Sequence, residues 1–262
     1  MREILGKRRR LLSLLSGLLP GSGSASPGLR PADGSMAGGS VTGESMTGGS
    51  VTGTGRPACT AVTAEAAAGF ARWGWRVLPG AVPGPQGHGG CACPDADCPS
   101  PGAHPFDPAL PAATHDARMV RWWWGNRPSA PVLLATGEGE GPSALSLPAV
   151  AGARAVAQLE REGVRLGPVV ASPTRWALLV RPYSLERLGE LLYAQDMVPG
   201  SLRFHGQGGY LALPPSVTGQ GRVRWVREPE PGDAAPWLPD VERVVGTAVT
   251  ALTRPEVGAP DA

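Results

Sequence analysis

The chain has 262 residues, among them 38 glycines and 29 prolines. That share touches the range of low complexity, yet 42% hydrophobic residues leave enough for a core. Twenty-four basic against 22 acidic residues give a net charge of +2, so no strong overall field announces a nucleic-acid binder. No run of about 18 apolar residues occurs, so no transmembrane helix is predicted and a cytoplasmic location is expected. Lysine occurs once, at Lys7. The arginine excess, with so much Ala, Gly and Pro, reads as the bias of a GC-rich genome.

Residues 1–57 read as a separate unit. Lys7-Arg8-Arg9-Arg10 precedes a leucine-rich stretch ending at Leu19. That order suits either a secretory signal, with Ser22-Gly23-Ser24-Ala25 as the small residues, or a short basic amphipathic helix. Ser35–Glu44 and Ser45–Thr54 are near-copies of one Gly-rich decamer. Such a repeat cannot bury enough apolar surface to offset its ordering entropy, so residues 20–57 are expected to be a disordered linker.

A domain over 58–262 follows, its first elements expected near Ala61. An Ala-rich helix over 63–71 takes Thr63 as N-cap. A strand over 75–79 ends at Pro79-Gly80. Residues 80–113 then form a Pro/Gly-rich loop too long to lack a holder. The holder is in the sequence: Cys91, Cys93, Cys98 and His104. Three soft thiolates and an imidazole at short spacing make a tetrahedral zinc set. All four positions are filled by protein, so the zinc is structural. His88 is a rival fourth ligand; Asp95 and Asp97 read as turn residues, and Cys59 as an ordinary thiol outside the cluster.

Thr114 is expected to cap a helix running to Trp124. Its adjacent Trp122, Trp123 and Trp124 cannot share one face, so at least one is exposed and the others are core. Strands at 131–136 and 143–148 flank a Gly/Glu turn. A helix over 150–162 leads to a hairpin, 169–171 and 176–180, around Pro173-Thr174. A serine-capped helix begins at Ser184. Strands follow at 202–205, 209–216 and 222–226, and a helix over 240–252 closes the chain. Mixed strands and helices predict an α+β fold.

In this order, Gly74–Pro79, the cysteine loop running into Pro101–Pro105, Ala113-Thr114 with the three tryptophans, Ala135-Thr136-Gly137, and Gly208–Ser216 resemble the bifunctional DNA primase/polymerase N-terminal domain of the archaeo-eukaryotic primase superfamily, over about residues 61–228. The resemblance implies an RRM-like antiparallel or mixed sheet with packed helices beside a smaller α+β unit that carries the zinc loop. It also implies acidic residues on adjacent strands that hold two divalent metals for nucleotidyl transfer, a chemistry that needs hard oxygen ligands.

The positions matching those motifs carry other residues. Ser146-Leu147-Pro148 stands for the Asp-x-Asp or Asp-x-Glu pair. The stretch Ser172–Ala177 stands for the histidine motif and lacks the histidine. Ser201-Leu202-Arg203 stands where the last aspartate belongs. The leading expectation is therefore a catalytically inactive relative that binds single-stranded nucleic acid or nucleotides through Arg203, His205, Arg222 and Arg224 on neighbouring strands. His205 is read either as a phosphate contact in the cleft or as a partly exposed strand residue. Two alternatives stay open. One is an active enzyme using Mg or Mn, with Glu138 and Glu140 as relocated acids. The other is a protein-interaction module contacting partners through the tryptophans and the basic tail.

Overall fold

The computed structural model describes residues 57–82, 91–230, 232 and 234–253. The basic segment, the duplicated linker, His88 and the side chain of Cys59 lie outside the described residues.

Helix α1 spans Pro57–Arg72. It starts six residues before the expected Thr63 cap, because the Ala-rich composition extends back to Pro57 and proline is well suited to a first helical turn. Strand β1 (Val77–Pro79) follows, then helix α2 (Ala117–Asn126) and strand β2 (Val132–Thr136). Asp116, not Thr114, caps α2, its side chain accepting from the Arg118 N–H. Thr114 is unavailable for that role because its backbone exchanges hydrogen bonds with Val77, which holds it extended. Of the three tryptophans, Trp122 is 60% exposed, while Trp123 and Trp124 are buried. The Trp124 indole N–H is satisfied by the Ala130 carbonyl at 3.0 Å.

Next come β3 (Ser143–Pro148), α3 (Ala149–Arg161), β4 (Val169–Ala171), β5 (Arg175–Val180), α4 (Leu185–Tyr193) and β6 (Arg203–His205). These form a split β-α-β-β-α-β unit with strand order β4-β5-β3-β6, the RRM-like sheet. Strands β7 (Gly209–Leu213), β8 (Val217–Thr218), β9 (Gly221–Arg222) and β10 (Arg224–Arg227) precede the last helix, α5 (Glu242–Thr253). β10 extends the main sheet to β10-β4-β5-β3-β6; β1-β2-β7 make a second sheet and β8-β9 a ribbon. All named pairings are antiparallel.

Strand alternation gives the main sheet two apolar faces. Leu145, Leu147, Val169, Leu178 and Val180 face a core shared with α3 and α5. Ala144, Val170, Ala177 and Leu179 face the other way, into a core built with α1, α2, β1 and β2. Helix α3 sits very close to β5: a Cβ on Gly152 would lie 2.6 Å from the Trp176 Cβ. No helix among the described residues is long and apolar enough to cross a membrane.

Candidate functional site

The cysteine loop brings its four donors together. The ligand atoms of Cys91, Cys93, Cys98 and His104 all lie within 4.8 Å of one another. The His104 Nε2 is 3.2 Å from the Cys91 Sγ and 3.3 Å from the Cys98 Sγ. Its Nδ1 lies 2.9 Å from the Pro105 carbonyl oxygen. Donation from Nδ1 to that oxygen leaves the Nε2 lone pair for a metal, the usual outer support of a histidine ligand. Bond lengths near 2.0–2.3 Å would put tetrahedral zinc donors about 3.5–3.8 Å apart, and the cluster needs only small adjustments to reach that.

The thiols respond to their crowding. At Cys91 burial acts upward, but hydrogen bonds from the Cys93 and Gly102 backbone, with His104 and Cys93, pull the thiol down to about 6. The Cys98 thiol is pushed up to about 11, by burial first and then by the Cys93 and Cys91 sulfurs against a lowering Ser100 hydrogen bond. Three thiolates this close repel one another, and a dication among them would relieve that repulsion. The donor set therefore fits zinc. Asp95 is a turn residue, its Oδ1 accepting from the Asp97 N–H at 3.0 Å.

This loop forms part of the wall of a cavity between the two sheets. The Gly219 N–H donates to the Pro101 carbonyl at 2.7 Å, and the Ala81 N–H to that of His104 at 3.0 Å. A Cβ on Gly80 would stand 2.5 Å from the Gly102 oxygen, so only glycine permits this approach. Ser100 and Ala103 then line the cavity, whose volume is about 360 Å³.

The main sheet supplies the opposite wall. Ser146 pairs across the sheet with Arg203 on β6 and with Ala177 on β5. Cross-strand partners share a face, so Arg203, Ser146 and Ala177 form one row. His205, paired with Ala144, belongs to the same face. Arg175, two residues before Ala177, shares it too.

Arg175 draws these segments together. Its Nη2 donates to the Ser146 carbonyl at 2.5 Å, to the Ser201 carbonyl at 2.8 Å and to the Ser146 Oγ at 3.2 Å, while its Nε reaches that Oγ at 3.3 Å. The Ser146 Oγ lies 2.9 Å from the His205 Nε2, and the His205 Nδ1 lies 3.2 Å from the Tyr210 carbonyl oxygen. With Nδ1 donating to Tyr210, Nε2 accepts from the serine hydroxyl. Burial first, then repulsion by Arg175 and Arg203, holds the His205 imidazole below its ordinary pKa, against the Tyr210 hydrogen bond that acts upward. Burial, followed by the charge of Arg203, likewise lowers Arg175.

Two of the four residues expected to form a basic patch are elsewhere. Arg224 lies on β10, at the opposite edge of the main sheet from β6. Its partner is Ala171, one residue off the cavity-facing Val170, so it occupies the other face. Arg222 belongs to the β8-β9 ribbon, paired with Val217. The idea of neighbouring strands fails because β6 and β10 close the two edges of one sheet. Arg175 is the cavity residue that sequence reasoning missed. Its only signal was its place in Ser172–Ala177, the stretch that the resemblance sets against the histidine motif. Among the described residues, no aspartate or glutamate lines the cavity, Glu138 and Glu140 included.

Residues 66–239 match the family model described as bifunctional DNA primase/polymerase, N-terminal. No curated protein matches this chain. No solved structure matches it either.

Proposed function

Because the chain belongs to the bifunctional DNA primase/polymerase N-terminal family, we propose that it keeps the family scaffold without metal-dependent nucleotidyl transfer, and serves as a cytoplasmic binding domain for nucleotides or single-stranded nucleic acid. One observation carries this reading. The cavity at the three motif segments is lined by Ser146, Arg175, Arg203 and His205, with no carboxylate among the described residues. A two-metal reaction needs hard anionic ligands to hold the ions that clamp the attacking and leaving oxygens. Two guanidinium groups in that place repel a dication and attract a phosphate.

The zinc held by Cys91, Cys93, Cys98 and His104 is structural, since the protein supplies a full tetrahedral donor set. It fixes the loop that walls the cavity. Thiolates of this kind persist in a reducing compartment, which supports the cytoplasmic assignment.

Primer extension tests the catalytic half of the reading. With Mg²⁺ or Mn²⁺ and a primed template, the full chain is expected to incorporate no nucleotide. Robust incorporation abolished by Glu138→Gln or Glu140→Gln would instead establish an active enzyme with relocated acids. The binding half is tested by single-strand DNA affinity at two salt concentrations, where affinity is expected to fall steeply as salt rises.

A further inference from the structure

We propose that the guanidinium of Arg175 takes over the task of the lost metals, so that this cavity grips the phosphates of a nucleoside polyphosphate with no divalent cation present. The inference rests on the binding-domain reading above and specifies its ligand.

Arg175 is held in place, not merely nearby. Its Nε and Nη2 atoms are committed to the Ser146 hydroxyl and to the Ser146 and Ser201 carbonyls. Those two serines belong to the segments where the family resemblance expects metal-binding acids. A fixed cation therefore stands between the positions that would otherwise hold mobile ones. The described hydrogen bonds leave the two Nη1–H donors of Arg175 without a protein acceptor. Arg203, the cross-strand neighbour of Ser146, has its guanidinium in no ion pair or hydrogen bond among the described residues.

Two like charges on one wall, with no carboxylate in the lining, form an uncompensated site. It favours a multiply charged phosphate over the single charge of a strand diester. Arginine also offers planar paired donors that match phosphate oxygens, and it cannot lose its proton at neutral pH. The rest of the lining is of a different character. Val170, Ala177, Leu211 and Val223 give apolar surface, and Tyr210 adds a ring. A polar end for phosphates and an apolar part for sugar and base suit one nucleotide. The volume of about 360 Å³ is at the small end of ligand sites.

Terminal phosphates also occur on 5′-phosphorylated strands, so the experiment separates the two sources. The full chain is titrated calorimetrically with dATP, inorganic triphosphate, deoxyadenosine, and 5′-phosphorylated and 5′-hydroxyl oligothymidylate, each in EDTA and in Mg²⁺. The expected result is dATP and triphosphate binding in EDTA within about threefold of that in Mg²⁺, with deoxyadenosine weaker by about 100-fold or more. Arg175→Lys is expected to weaken dATP by about tenfold through loss of the paired donors. Arg203→Ala, on an exposed edge strand, gives a similar loss without endangering the fold. Arg243→Ala on α5 leaves affinity unchanged. A 5′-phosphorylated strand binding more tightly than dATP overturns the nucleoside polyphosphate as the ligand and assigns the phosphate grip to strand ends.

Binding of dATP that requires Mg²⁺, or that survives both arginine substitutions unchanged, overturns the inference. Salt-sensitive strand binding without any preference for terminal phosphate also overturns it, yet leaves the binding-domain reading standing. Failure of every ligand in both buffers removes both.

Discussion

The cysteine cluster and the cleft beside it share a wall but have fared differently. In the cluster, all four donors expected for a metal are present and gathered within 4.8 Å. In the cleft, the strands are in place but Ser146 and its neighbours stand where acids are expected. The difference follows from what holds each region. The loop has Pro and Gly turns and little core of its own, so its shape depends on its ligands. Strand β3 is fixed by backbone pairing on both sides and by Leu145 and Leu147 on its far face. Its cavity-facing side chain can therefore change identity without unfolding the sheet.

The sharpest way to break this comparison is at the cluster. Cys98→Ser is expected to abolish a one-to-one zinc content measured by elemental analysis. It should also lower stability by several kcal/mol, the scale associated with losing a metal. For a domain of this size each kcal/mol lowers Tm by roughly 2–4 °C. Because Ser100 and Ala103 line the cavity, dATP affinity should fall in the same variant. A folded, zinc-free protein with unchanged Tm would place the two regions on the same footing.

Next in size is a change in the cleft itself. Ser146→Asp places an acid on this face of the sheet, but beside Arg175 it would neutralise the guanidinium before it could hold a metal. Binding of dATP in EDTA is expected to fall by about tenfold, equal to about 1.4 kcal/mol, while the melting temperature changes little. Tighter binding in that variant would refute an arginine-based site.

A smaller effect comes from His205. Its ring is held below the ordinary imidazole pKa, so the folded chain binds fewer protons there than the unfolded chain. Its contribution is complete above about pH 6.5 and declines as pH drops through the unfolded value toward the folded one. Denaturant titrations between pH 5 and 8 should show this slope, and His205→Asn should remove it. The smallest effect is expected from Asp95→Asn. An asparagine can still accept from the Asp97 N–H, so stability should move by less than about 0.5 kcal/mol and zinc content should not change. Loss of zinc would make Asp95 a ligand and redraw the cluster.

Much of the architecture was legible in residue patterns. Ser184 caps α4 as expected, its side chain accepting from the Arg187 N–H. The Pro173-Thr174 turn joins β4 to β5, and the tryptophan triplet divides between core and surface because successive helical residues point about 100° apart. Local signals were weaker where tertiary contacts competed. Thr114 looked like a helix cap until the bridge with Val77 made it part of an extended segment.

By itself, the sequence pointed to the four clustered donors, because short spacing along a Pro/Gly loop keeps Cys91, Cys93, Cys98 and His104 close. It also gave the expectation that Ser146 and Ser201 stand where the resemblance calls for acids, since that reading compares residue identities and needs no coordinates. Only the tertiary structure decided which basic residues share a cavity. Strand order put Arg224 at the far edge and on the other face, while register put Arg203 beside Ser146 and brought in Arg175 from β5. Charge distribution in a sheet depends on pairing between strands distant in sequence, and no local pattern encodes that pairing.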